Sequence, residues 1–127
     1  MAYWKKDGYH LTQNAKTGDT ITIIFDKPEQ LKKVHIITGT VIHKTGILKN
    51  GRVEIAEKLL SAHGNAIECS QFIPICEFTD GQCISSTMDI FPINQTTKCL
   101  RIIVTVGQAG MLAIKEIAVY LRQNIEN

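Results

Sequence analysis

From Thr20 to Phe25 the chain reads Thr-Ile-Thr-Ile-Ile-Phe, polar and apolar positions alternating before the run turns wholly apolar. Asp26-Lys27-Pro28 breaks it, and Lys33-Val34-His35-Ile36-Ile37-Thr38 resumes it up to Gly39. A period of two marks a half-buried strand, and a Pro-containing loop of about seven residues makes an antiparallel pair the economical reading. The far end repeats the theme: Leu100-Arg101-Ile102-Ile103-Val104-Thr105, a Gly-rich loop, then Ala113-Ile114-Lys115-Glu116-Ile117. Asn50-Gly51 signals a turn ahead of the alternating Arg52-Val53-Glu54-Ile55. Phe72 to Phe78 forms another run, and Asp80-Gly81 predicts a tight hairpin into Gln82–Thr87. Pro74 cannot donate to a ladder, which puts its strand on an edge or at a bulge. Two stretches are ambiguous. Glu57 to Leu60 can begin a helical turn before Gly64-Asn65 ends it, and Leu112 to Leu121 fits both a strand and a helical period (Ile114, Ile117, Ala118, Leu121). Strands recurring roughly every 10 to 15 residues indicate an all-β sandwich or barrel with its function on the loops.

Composition agrees. Nineteen of the 127 residues are isoleucine, whose branched side chain suits a pleated surface. The length suits one domain, read as a lead-in over residues 1–8, a sandwich over 9–121 in which 9–18 is a polar loop, and a tail over 122–127. A formal charge of +2, with Lys5-Lys6 and Lys32-Lys33 as isolated pairs, gives no footprint for nucleic acid. No apolar run reaches the roughly 18 residues that span a bilayer, so no membrane contact is expected of the domain itself. Met-Ala-Tyr-Trp-Lys-Lys at the start lacks the apolar core of a secretion signal.

The chemistry-bearing residues are scattered. No nucleophile elbow accompanies His10, His35, His43 or His63, and His35, inside an apolar strand, reads as a packed or edge histidine. Neither a catalytic site nor a cofactor is expected. Cys69, Cys76, Cys83 and Cys99 are separated by six, six and fifteen residues, without the Cys-x-x-Cys or paired-His spacing of a zinc site. Buried thiols and disulfides remain the alternatives. Cys76 and Cys83 fall on an awkward diagonal of the expected hairpin, whereas Cys69 and Cys99 can bridge if their segments are neighbours. Asn94-Gln95-Thr96 is a glycosylation acceptor sequence. Sugar recognition needs a stacking surface with polar groups around it. If Thr20–Phe25 and Lys33–Thr38 form a pair, the 9–18 and 39–46 loops open at one end, bringing Tyr9, His10, Thr40 and His43 together as a shallow polar site.

Many weak motifs in order carry a resemblance. Gly18-Asp19, Phe25-x-x-Pro28, Thr38-Gly39, Ile47-Leu48, Val53-Glu54, Cys69-Ser70-x-Phe72, Glu77-Phe78-x-x-Gly81, Cys99-x-Arg101-Ile102 and Ile114-x-x-Ile117 span roughly residues 9 to 120. Together they resemble the discoidin or galactose-binding-like sandwich. More closely, they resemble the C-terminal lectin-like domain of the α-1,3-mannosyl-glycoprotein 4-β-N-acetylglucosaminyltransferases. The resemblance implies a jelly-roll β-sandwich in the Golgi lumen that binds GlcNAc-bearing N-glycan ends and catalyses nothing itself. It points to Tyr9, His10, Thr40, His43 and Gln108 as the sugar-facing loop residues. The chain departs from the family where an Asp tends to precede Ile47-Leu48, having Gly46, and where aromatics tend to flank the site, having Leu11 and Met111. Those losses imply a blunted sugar grip, and with it an alternative: an interaction domain that docks or regulates a Golgi glycosyltransferase.

Overall fold

A computed structural model describes residues 3–39, 46–64, 66–79, 87–90 and 95–122; for 3–12, 78 and 87–89 the description is of the backbone. The strands are β1 (Tyr3–Gln13), β2 (Thr20–Thr38), β3 (Gly51–Ala56), β4 (Leu59–His63), β5 (Ala66–Cys69), β6 (Ile73–Phe78), β7 (Thr87–Ile90), β8 (Thr96–Val104) and β9 (Met111–Leu121). Every pairing is antiparallel, and no helix occurs among the described residues. One layer runs β1-β9-β2-β7 and the other β2-β8-β3-β6, with β2 belonging to both; β4 and β5 form a separate ribbon. This is the galactose-binding-like β-sandwich.

The expected hairpin of Thr20–Phe25 with Lys33–Thr38 is not formed. The two segments are halves of one 19-residue strand. The first half pairs with β8, from Thr20 opposite Ile103 to Ile24 opposite Cys99. The second pairs with β9, from Lys33 opposite Tyr120 to Thr38 opposite Ile114. A straight strand of this length would run about 60 Å, whereas a domain of this size is about 35 Å across, so β2 must bend. It does so where the ladder slips between Ile24 and Glu29, at exposed Asp26, Lys27 and Pro28. Pro28 has no N–H to contribute, and a bulge is where a strand tolerates that. Lys98 Nζ donates to the Asp26 carbonyl at 2.8 Å and pins the bend. The halves therefore run antiparallel in facing layers, and both ends of β2 return to the same rim.

Alternation along these strands fills the space between the layers. Phe25, Leu31, Val34 and Ile36 of β2 meet Val53 and Ile55 of β3, Leu100, Ile102 and Val104 of β8, and Leu112, Ile114, Ile117 and Val119 of β9 in one apolar cluster. Full burial of each such side chain stabilises by about 1.5–3 kcal/mol before entropy is counted.

Other expectations are corrected by pairing. Residues 3–13, within the stretches read as a lead-in and a polar loop, are strand: β1 pairs with β9 from Tyr3 opposite Tyr120 to Gln13 opposite Met111. The stretch 56–66 holds a β4–β5 hairpin, not a helical turn, with Gly64 at φ 59° supplying the reversal. The Asp80-Gly81 turn lies outside the described residues. Of its two flanks, β6 pairs with β3, and Thr87 opens β7 against Ile37 of β2. The helical period in β9 is the signature of a bulge. Thr38 faces Ile114 and Ile37 faces Glu116, so Lys115 is the extra residue that switches burial from even to odd positions.

Candidate functional site

Because both ends of β2 return to one rim, the segments 14–19, 46–50 and 105–110 meet there. The Asn14 N–H donates to the Gly110 carbonyl at 2.7 Å, and the Gly110 N–H donates back to Asn14 Oδ1 at 2.9 Å. The Gly107 N–H donates to Thr17 Oγ1 at 2.8 Å, and the Gln108 N–H to the Ala15 carbonyl at 2.9 Å. Asp19 closes the turn after β1, its Oδ2 accepting from the Lys16 N–H at 2.8 Å. These are paired backbone groups, so the loops form a fixed surface.

Gln108, named from the sequence, is the staple of that surface. Its Nε2 donates to the Ile47 carbonyl at 2.9 Å while its Oε1 accepts from the Lys49 N–H at 3.1 Å. Below this clasp Leu48, 1% exposed, drives into the core, and its N–H donates to Thr38 Oγ1 at 3.2 Å. Gln108 therefore holds the loop, and its amide groups are engaged with protein backbone. Gly46 explains the missing acid. Its φ is +80°, its carbonyl accepts from the Ala113 N–H at 3.0 Å, and a β-carbon there would stand 3.0 Å from the Met111 carbonyl oxygen and 3.1 Å from the Ala113 nitrogen. A carboxylate cannot be carried at this position without moving β9.

Between the layers, just under the rim, lies a recess of about 300 Å³. Ile21, Leu48, Ile102, Val104, Leu112 and Ile114 line it, with Asp19 and Thr20 at its polar lip. Its size is at the lower end for small-molecule sites. Among the described residues its walls are aliphatic and include no ring on which a sugar face can stack. Met111, where the resemblance expects an aromatic, is 39% exposed beside it.

Of the residues expected to touch a sugar, Tyr9 and His10 lie in β1, with His10 opposite Ile114 and next to the β1 bulge. Thr40 and His43 lie outside the described residues, as does Asn94 of the glycosylation triplet. Lys16, Asp19, Lys49 and Asn14, all exposed, bring further polar groups to the rim. The sequence reading passed over them because their convergence depends on the β2 bend. His35, read as a packed or edge residue, is 22% exposed with Nε2 3.8 Å from Glu116 Oε2.

The outer face of the β2-β8-β3-β6 layer carries a second polar cluster. Glu54 is 5% exposed, and Arg101, opposite it across β3–β8, donates Nε to its Oε1 at 2.8 Å and Nη2 to the same oxygen. Arg52 Nε donates to Glu54 Oε2 at 2.8 Å. Phe72 lies beneath the Arg101 guanidinium, 3.7 Å from the ring centre. At the end of this face away from the rim, a disulfide joins Cys69 to Cys99 and anchors the β4–β5 ribbon to the sandwich. Cys76 lies apart, its thiol pushed up from the ordinary cysteine value by burial.

The fold is that of a carbohydrate-binding-module-like sandwich. No protein-family model matches the chain. Among solved structures it superposes on the module CpGH89CBM32-5 of Clostridium perfringens, solved in complex with GalNAc-beta-1,3-galactose, with a TM-score of 0.63 and 14% identity over 90% of this chain and 76% of that one. It superposes on the family 32 carbohydrate-binding module of Streptococcus pneumoniae EndoD with a TM-score of 0.58 and 14% identity, covering 94% and 75%. In sequence it is similar to the alpha-1,3-mannosyl-glycoprotein 4-beta-N-acetylglucosaminyltransferase C of Mus musculus, 29% identical over 123 residues. A 4-beta-N-acetylglucosaminyltransferase-like protein of Mus musculus is 27% identical over 122 residues. The matched region is 94% of this chain but only 24% and 26% of those relatives, so the chain spans about a quarter of their length.

Proposed function

We propose that this domain is a noncatalytic carbohydrate-recognition module of an N-acetylglucosaminyltransferase-type protein of the secretory pathway, acting in the Golgi lumen and holding GlcNAc-bearing N-glycan ends weakly. One observation carries the reading. Three loop segments are locked into a single polar surface at the rim of a sandwich whose structural neighbours are carbohydrate-binding modules. Asp19, Asn14 and Lys49 supply hydroxyl-binding groups there, joined by Tyr9, His10, Thr40 and His43 from the segments that flank them. The aliphatic recess accepts the apolar face or the acetyl methyl of the sugar. Titration of the 15N-labelled protein with GlcNAc and GlcNAc-terminated glycans tests this, with shifts expected at residues 14–19, 46–50 and 105–111. An unchanged spectrum at tens of millimolar sugar ends it.

A specific observation favours a second reading, in which the rim docks a glycosyltransferase without binding sugar. Gly46 has no space for an acid, and the Gln108 amide is committed to backbone. Capture of a Golgi glycosyltransferase that persists after the glycans are enzymatically removed supports docking. Capture that disappears with the glycans refutes it.

A further inference from the structure

Glu54, Arg52 and Arg101 form a cluster on the outer sheet face, starting just below the rim at Arg52, that the rim reading does not use. Burying a carboxylate costs several kcal/mol unless charge and hydrogen bonds compensate. Glu54 receives both from two guanidinium groups, and its two oxygens are fully employed in holding them. Each arginine is thereby fixed at Nε. Arg101 is further fixed in plane by Phe72, which blocks one face of its guanidinium. Arg52 remains 31% exposed and Arg101 27% exposed, so each side chain keeps a part open to solvent. Two positive charges share one buried negative charge. The nearest second anion among the described residues is Glu77, whose Oε1 lies 3.9 Å from Arg52 Nη1, beyond hydrogen-bonding distance, on a side chain 58% exposed.

The distance to Glu77 is informative. A carboxylate already pairs electrostatically with the outer edge of Arg52 without a direct hydrogen bond. A ligand oxyanion can displace Glu77 at a guanidinium already held by Glu54, which lowers the rotamer entropy that normally weakens arginine contacts. Guanidinium pairs recognise flat or tetrahedral oxyanions through forked hydrogen bonds, which selects carboxylate and sulfate over neutral hydroxyl groups.

From this we infer that the Arg52–Glu54–Arg101 cluster, floored by Phe72, is an oxyanion subsite for the carboxylate or sulfate group of an acidic glycan. It is separate from the rim and goes beyond the GlcNAc reading. If it is correct, Glu77 is its internal competitor.

The test follows the arginine Nε–Hε resonances of the 15N-labelled, oxidised protein at constant ionic strength. Inorganic sulfate, sialylated N-acetyllactosamine, sulfated N-acetyllactosamine and neutral N-acetyllactosamine are the probes. The acidic probes should shift Arg52 and Arg101, and the neutral sugar should not. Arg52→Gln keeps the Glu54–Arg101 pair and the Phe72 contact, so it remains folded, and it should weaken acidic-probe binding about tenfold, the size of one charge-assisted hydrogen bond. Glu77→Gln should tighten it severalfold. Acidic sugars binding tenfold or more above inorganic sulfate identify a glycan ligand, and equal binding identifies a free inorganic oxyanion. Absent Nε–Hε shifts, or identical shifts in Arg52→Gln, overturn the proposal. Loss of GlcNAc shifts at the rim with these retained refutes the rim reading alone.

Discussion

Gln108 Nε2 lies 2.9 Å from the Ile47 carbonyl oxygen, so one side chain bonds the 105–110 segment to the segment that carries Leu48 into the core. Gln108→Ala removes this bond and the one to Lys49, each worth about 0.5–1.5 kcal/mol. The expected result is a loss of roughly 1–2 kcal/mol in denaturant unfolding, with faster hydrogen exchange at the Lys49 amide. An unchanged Lys49 exchange rate would contradict the clasp.

Restoring an acid by Gly46→Asp should weaken the protein without improving its grip on sugar. The substitution places a β-carbon against the Met111 carbonyl and forces a non-glycine residue to φ +80°. Strain of this kind costs about 1–3 kcal/mol, and a fall of several degrees in Tm is expected by calorimetry. A stable variant with tighter GlcNAc binding would disprove the steric account.

The Cys69–Cys99 bond links residues 30 apart in sequence. Chain-entropy arguments give about 3–4 kcal/mol for a loop of that length. Cys69→Ser with Cys99→Ser should lower stability by that order, and limited proteolysis should then cut within 59–69 before the sandwich. The same effect should follow reduction of the native protein.

Glu54→Gln removes the charge between two arginines and leaves one or both underpaired. A fully buried pair broken in this way costs about 3–5 kcal/mol; partial hydration of Arg52 and Arg101 lowers the expectation to roughly 2–3 kcal/mol. Equilibrium unfolding in urea measures it. Arg52→Gln, which keeps the Arg101 pair, should cost much less.

Burial pushes the Cys76 thiol up, so the neutral form is favoured at neutral pH. Its contribution to stability is complete below the ordinary cysteine value and is lost as pH rises through the raised one. Alkylation at Cys76, followed by peptide mass spectrometry at pH 8, should be severalfold slower in the folded protein than in urea.

The β class and most strand positions were legible because burial on one face writes a period of two into the residues. What could not be read was which strands pair. Thr20–Phe25 and Lys33–Thr38 look the same whether they form a hairpin or the bent halves of one strand, since either arrangement buries Ile23, Phe25, Val34 and Ile36. Both ends of β2 nevertheless return to one rim, through the bulge at Asp26–Pro28, while most of the 39–46 loop lies outside the described residues. In β9, Lys115 shifted the alternation and imitated a helix. At the rim, Gln108 was visible as a candidate, but its engagement with Ile47 and Lys49 was not, because those contacts bridge about 60 residues.

The pairing of Tyr3 with Tyr120 has a further consequence. Polypeptide enters and leaves this module side by side, at the end opposite Asn14, Gln108 and Gly46. Any neighbour joined directly at either flank would attach there, leaving the three loops to face outward like a cup held at arm's length.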